Sequence, residues 1–143
     1  MEAVYSRRTF VTRVCGALGA LLPLVRWSPA HRCRVRAAGP HPTPRPGITG
    51  AKVLTREQLA ESAALIPVFD QVREIPEIVD GIRCQCGCAD LEGFYSLLSC
   101  YEGDAMARSC PICQGEGRLA ARLHRDGKSL DEIRAAIDAR YGG

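Results

Sequence analysis

Cys84-Gln85-Cys86-Gly87-Cys88 places three thiols on alternate residues, and Cys100, Cys110 and Cys113 follow. Thiolates select Cu(I), Zn(II) or an iron–sulfur cluster over magnesium or calcium. The same residue type also serves thiol–disulfide exchange and structural disulfides. In an extended segment side chains alternate, so the three sulfurs of the triplet face one side. Neighbours at this spacing lie about 6.6–6.8 Å apart at Cα, near the upper limit for a disulfide. A bridge inside the triplet is therefore disfavoured unless Gly87 permits a tight turn.

The second thiol group is Ser109-Cys110-Pro111-Ile112-Cys113. Proline early in a helix marks its first turn. Cys110 and Cys113 then share a face at a helix N-terminus, where the dipole lowers a thiol pKa. A Cys-x-x-Cys there is half of a tetrathiolate metal site or the working pair of a thiol oxidoreductase. Cys100 ends an apolar and aromatic run, 91–99, that reads as a strand or a short helix. It is a further ligand, a resolving thiol or a disulfide partner. The expected site is thus Cys84, Cys86, Cys88, Cys100, Cys110 and Cys113 around a soft ion, copper(I) or zinc. Redox-active thiols and three structural disulfides are the alternatives. His124 sits eleven residues beyond Cys113, about 16 Å along a continuous helix, and reads as a surface histidine. No acid–base pair, nucleophile with a base, phosphate loop or dinucleotide motif accompanies the thiols, which disfavours a hydrolase or a nucleotide enzyme.

The elements that must position these thiols read as helical. Thr55-Arg56-Glu57-Gln58 is a capping-box pattern and predicts a helix start, with Leu59, Ala63 and Ile66 as its apolar stripe. Pro67 stops or kinks it. A short helix over 68–73 would bury Val68, Phe69 and Val72, and Pro76 breaks the chain again. Ile75, Ile78, Val79 and Ile82 form an apolar approach to the cysteines, with a turn at Asp80-Gly81. Beyond Cys113, Gly115-Glu116-Gly117 weakens the next helix, but 118–125 is strongly helical with Leu119 and Leu123 as its seam. Gly127 is a left-handed cap, and Ser129-Leu130-Asp131-Glu132 is a second capping box. Leu130, Ile133, Ile137 and Tyr141 line one face of the last helix. The two helices form an antiparallel hairpin. The fold class is mainly α: a small cysteine-rich helical domain, 53–143, ending in a helical hairpin. A domain of about 90 residues buries a modest core and often needs a metal or disulfide staple.

The first 37 residues read differently. Ser6-Arg7-Arg8-Thr9-Phe10-Val11 precedes a short apolar run over 14–25, which is too short to span a bilayer as a helix. This is a signal peptide of the twin-arginine type, with cleavage after Ala30 or Ala37. Cys33 lacks a lipobox context, and Cys15 is a small hydrophobe within the apolar run. The expected partner is the twin-arginine export machinery, and the expected location is the periplasmic or extracellular face of the membrane. A metal-handling or redox partner is the further expectation. Pro40, Pro42, Pro44 and Pro46, with Gly39, Gly47 and Gly50, make 38–52 a flexible linker, in or near which His31 and His41 are solvated. The net charge is +3, but the basic excess lies in the signal and the remainder is acidic. Nucleic acid is not an expected partner.

Ile75-Pro76-Glu77-Ile78-Val79-Asp80-Gly81, the triplet, Phe94-Tyr95-Ser96-Leu97-Leu98-Ser99-Cys100 and Cys110-Pro111-Ile112-Cys113-Gln114-Gly115-Glu116 resemble the bacterial exported family named for a Pro-Cys-Tyr-Cys-Gly-Cys motif. The resemblance runs over about 53–142. Arg83 stands for Pro and Gln85 for Tyr, while the three cysteines and Gly87 remain, so the resemblance implies an intact cysteine site and names no activity. A weaker similarity, through Ile82-Arg83-Cys84, Gly127-Lys128-Ser129-Leu130-Asp131-Glu132-Ile133-Arg134 and Ala139-Arg140-Tyr141-Gly142, is to the thiol-reductase subunit of cytochrome c maturation, a small helical bundle. That family's second cysteine would fall at Gly87, which weakens a redox role.

Overall fold

The computed structural model describes residues 39–142. The signal peptide, Cys15, Cys33 and His31 lie outside the described residues. Four α-helices carry the domain: α1 (Ile66–Glu74), α2 (Pro76–Asp80), α3 (Pro111–Arg125) and α4 (Leu130–Tyr141). Short 3-10 turns join them, and among the described residues the extended pairing is a single antiparallel bridge between Val53 and Glu102. The domain is mainly helical, with the C-terminal hairpin in place. No helix among the described residues is long and apolar enough to cross a membrane.

Local chemistry explains most helix ends. Pro67 does not stop a helix; it occupies the first turn of α1, where a missing N–H costs nothing. Pro76 and Pro111 do the same for α2 and α3. The α1 face buries Val68, Phe69 and Val72. Phe69 meets Tyr101 edge to face, with centroids 4.8 Å apart. Thr55 and Gln58 do form their reciprocal box, with the Thr55 N–H donating to Gln58 Oε1 at 2.8 Å and the Gln58 N–H donating to Thr55 Oγ1 at 3.4 Å. Past this box the chain makes a turn and a kinked 3-10 segment, Ala60–Leu65, rather than an α-helix. Ala63 is exposed and buries nothing, so no apolar stripe rewards a regular helix there.

Helix α3 runs unbroken through Gly115 and Gly117. A side chain at Gly117 would collide with the buried Tyr101 hydroxyl, so this glycine serves close packing rather than interrupting the helix. Leu119 is buried and Leu123 half-buried. The reversal after α3 closes on Gly127 at φ +76°, with Gly127 N–H donating to His124 O and Lys128 N–H to Leu123 O. Both halves of the Ser129–Glu132 box are present. Ile133 and Ile137 are fully buried, with Leu130 and Tyr141 packed beside them.

The segment expected to be a flexible linker is instead a strap on the domain. The Arg45 guanidinium pairs with Asp80 at 2.7 Å, and the Arg45 N–H donates to the same carboxylate at 2.8 Å. Arg134 donates to Pro42 O and Tyr95 to Thr43 O. Gly50 is buried against Arg73. His41 is not solvated: its side chain is 13% exposed and hydrogen-bonded at both nitrogens. Prolines hold such a strap extended at low entropic cost, and Asp80, fully buried at the end of α2, needs the arginine it brings.

Candidate metal centre

Three stretches deliver the six thiols. Helix α2 ends at Asp80, and the buried Ile82 carries the chain inward to Cys84. The triplet is not an extended comb. Gly87 adopts φ +93°, a left-handed conformation that a side chain disfavours, and folds the chain back so that Cys88 opens a 3-10 turn. The turn draws the sulfurs together: Cys84 Sγ to Cys86 Sγ is 3.2 Å, and Cys86 Sγ to Cys88 Sγ is 2.8 Å. Cys100 arrives on the 3-10 turn Leu97–Tyr101, which is a short helix rather than a strand. Cys110 is the N-cap of α3, and Cys113 lies in its first turn. The Tyr101 hydroxyl donates to Cys113 O at 2.8 Å and fixes that turn against the core.

All six cysteines are free thiols and all six converge. Cys113 Sγ is 3.5 Å from Cys84 Sγ and 3.4 Å from Cys86 Sγ. The sulfurs of Cys84, Cys88, Cys100 and Cys113, all buried, lie within 4.8 Å of one another. Those of Cys86, Cys110 and Cys113 do likewise, with Cys86 and Cys110 half-buried. A tetrahedral ion with bonds of about 2.3 Å to sulfur needs sulfurs about 3.8 Å apart, so the cluster is compatible with binding a metal ion after small adjustments.

The thiols control one another's protonation. Hydrogen bonds from Cys100, then Cys113 and Cys84, hold Cys86 far below the ordinary thiol range. Burial, with the neighbouring Cys86, pushes Cys88 up to about 11. Cys113 is pushed up by Cys100 first, then by Cys86 and burial. A single thiolate thus suppresses ionisation of its neighbours, since like charges this close oppose each other in a dry site. Full deprotonation requires a cation, which a metal supplies.

Sequence reasoning missed the residues that brace the cluster. Glu116, fully buried on α3, accepts from Cys84 Sγ at 3.1 Å and from the Gln85 N–H at 2.8 Å, clamping the triplet to the helix. Burial raises its carboxyl to about 7, against the opposing bonds from Gln85 and Cys84. Gln85 Nε2 donates to Asp138 Oδ1 at 2.7 Å. Asp138 Oδ2 lies 3.1 Å from His41 Nε2, and His41 Nδ1 accepts the Arg83 N–H at 2.9 Å. That backbone donor assigns the imidazole proton to Nε2, which donates to Asp138. The available signal was spacing: Glu116 lies three residues after Cys113, on the same helix face. Nothing local marks Asp138 or His41. His124 is exposed at the far end of α3 and joins no thiol.

No curated protein and no solved structure matches the chain. A family model described as a protein of unknown function with PCYCGC motif matches residues 49–143. The match spans the later part of the strap, all six clustered cysteines and the hairpin, and the chain belongs to this PCYCGC-motif family.

Proposed function

We propose that the chain is an exported protein that binds a soft metal ion, copper(I) or zinc, through Cys84, Cys86, Cys88, Cys100, Cys110 and Cys113, and that it sequesters or delivers that ion. The observation that carries this reading is the convergence of six free sulfurs, from distant stretches of chain, on one largely buried cluster. Scattered cysteines in an apolar core pack as small hydrophobes, whereas these mutually close sulfurs form a donor set that a soft cation would bind as thiolates. The twin-arginine pattern at Arg7 and Arg8 supports delivery to the periplasmic or extracellular face by machinery that exports folded, loaded proteins. A metal-handling partner then receives or supplies the ion.

Native mass spectrometry of anaerobically purified protein, with and without alkylation, tests the reading. Stoichiometric metal, with six alkylatable thiols once it is removed, is the expected result. Three stable disulfides and no metal would sink it.

One observation favours a second reading, a thiol–disulfide oxidoreductase. Cys86 is half-buried, its thiol is held low by its neighbours, and Cys88 Sγ is 2.8 Å away. Oxidation of that pair, the Cys86 thiolate and the Cys88 thiol, would form their disulfide, release the one proton of Cys88 and pass two electrons to a partner disulfide. The partner leaves as two thiols after taking up that proton and one from water. A metal-free protein with one easily reduced pair would support it.

A further inference from the structure

The six sulfurs outnumber the four that a single soft ion takes in a closed thiolate site. They fall into two sets of mutually close sulfurs, Cys84, Cys88, Cys100 and Cys113 in one and Cys86, Cys110 and Cys113 in the other, and Cys113 belongs to both. The sets also differ in access. Every member of the first is buried, whereas Cys86 and Cys110 are half-buried. Cys86 and Cys88, with sulfurs 2.8 Å apart, are closer than two ligands of one tetrahedral ion sit, and they fall in different sets.

Resting on the metal-binding reading above, we propose that the centre is dinuclear. Cys113 bridges a closed inner ion, held by Cys84, Cys88 and Cys100, to an outer ion held by Cys86 and Cys110. The inner site has the complete four-sulfur shell of a structural ion, the arrangement that zinc favours. The outer site offers three sulfurs and an accessible side, which suits copper(I), a soft ion. Its open position admits a sulfur ligand from outside, so the outer ion is the one that exchanges. Loading releases a proton from each thiol that binds as thiolate. Transfer replaces all three outer sulfurs, Cys86, Cys110 and Cys113, by those of incoming thiols or thioethers without change of oxidation state. Cys113 keeps its bond to the inner ion, and the freed Cys86 and Cys110 take up protons from the incoming thiols or from water. Cys113 suits the bridge: it is fully buried, lies in the first turn of α3 where the helix dipole favours negative charge, and is anchored through the bond from Tyr101 to its carbonyl.

The test is anaerobic titration of the full chain with zinc alone, copper(I) alone, and zinc followed by copper(I), read by native mass spectrometry. Two ions per chain are expected at saturation, and C110S should retain one of the two. With one equivalent of zinc bound, iodoacetamide should label Cys86 and Cys110 and spare Cys84, Cys88, Cys100 and Cys113. This second readout uses the unaltered chain, so it stands even where a variant fails to fold. A maximum of one ion, three or more ions, or protection of all six thiols by the first equivalent each overturns the bridge while leaving metal binding intact. No bound metal at all overturns both.

Discussion

In the C-terminal hairpin each reversal is closed from within: Gly127 and Lys128 bond back onto the end of α3, and Ser129 and Glu132 cap each other at the start of α4. The cysteine cluster has no such local closure. Cys84 and Cys113, whose sulfurs touch, are 29 residues apart in the chain, and Glu116 must reach across to hold the Gln85 backbone. The hairpin rests on helix caps and apolar burial, which water and the chain supply unaided. The cluster packs six thiols whose ionised forms repel. A fold divided this way has one half closed by local caps and one half whose cysteine cluster is compatible with binding a cation.

Removing or supplying that cation should produce the largest effect. A soft ion bound only by the folded chain, at about a thousandfold above its dissociation constant, stabilises by about 4 kcal/mol. In a domain of this size that raises Tm by about 16–32 °C. Calorimetry with and without a chelator measures it. Hydrogen exchange should then show loss of protection over 82–113 ahead of 118–141. An unchanged Tm, or uniform loss, breaks the contrast between the two regions.

The strap gives the next effect. Arg45→Ala leaves Asp80 buried without its cation and should cost about 3 kcal/mol in chemical denaturation. Burial acts to raise the Asp80 carboxyl, but the bonds from Arg45 outweigh it and hold the group below the usual carboxylate range. The folded state therefore binds fewer protons than the unfolded state in acid, and stability present at neutral pH is lost as pH falls. Arg45→Ala should flatten that acid limb and leave metal stoichiometry unchanged.

Glu116 carries the opposite sign. Its carboxyl titrates near 7 in the fold against an ordinary value of 4.5, so the metal-free folded state holds the extra proton between them. Stability of the apo chain should fall by about 2–3 kcal/mol as pH rises across that window. Glu116→Gln should remove the slope, read as denaturation midpoints at pH 5 and pH 8. A slope that survives would place it outside the cluster.

The smallest effects separate the regions most sharply. Gly87→Ala and Ser129→Ala should each cost about 1 kcal/mol, the first through left-handed strain and the second through a lost cap. Only Gly87→Ala should also weaken metal binding in a competition titration, because only that turn sets sulfur positions.

The two regions were unequally legible in the sequence. Capping boxes, a cap glycine and an apolar face at helical spacing are short-range signals, and each predicted part of the hairpin stands where expected. Pro67 shows the limit: proline marks a helix boundary, but whether it ends one helix or begins the next depended on Val68, Phe69 and Val72 finding a core. The strap misled for the same reason. Proline and glycine content describes a free chain, while Arg45 is held by a carboxylate 35 residues away.

Residue type alone determined that this is a thiol protein: six cysteines at these spacings limit the chemistry to soft metals, redox exchange or disulfides. It also determined the hairpin, because helix caps and amphipathic faces act within a few residues. Only the tertiary structure decided that the six sulfurs form one cluster, that Gly87 folds the triplet instead of leaving it extended, and that Glu116, Asp138 and His41 stand behind it. The physical reason is range. A cap is satisfied by neighbours in sequence, whereas a buried carboxylate or thiol takes whatever partner the packed core brings within about 3 Å.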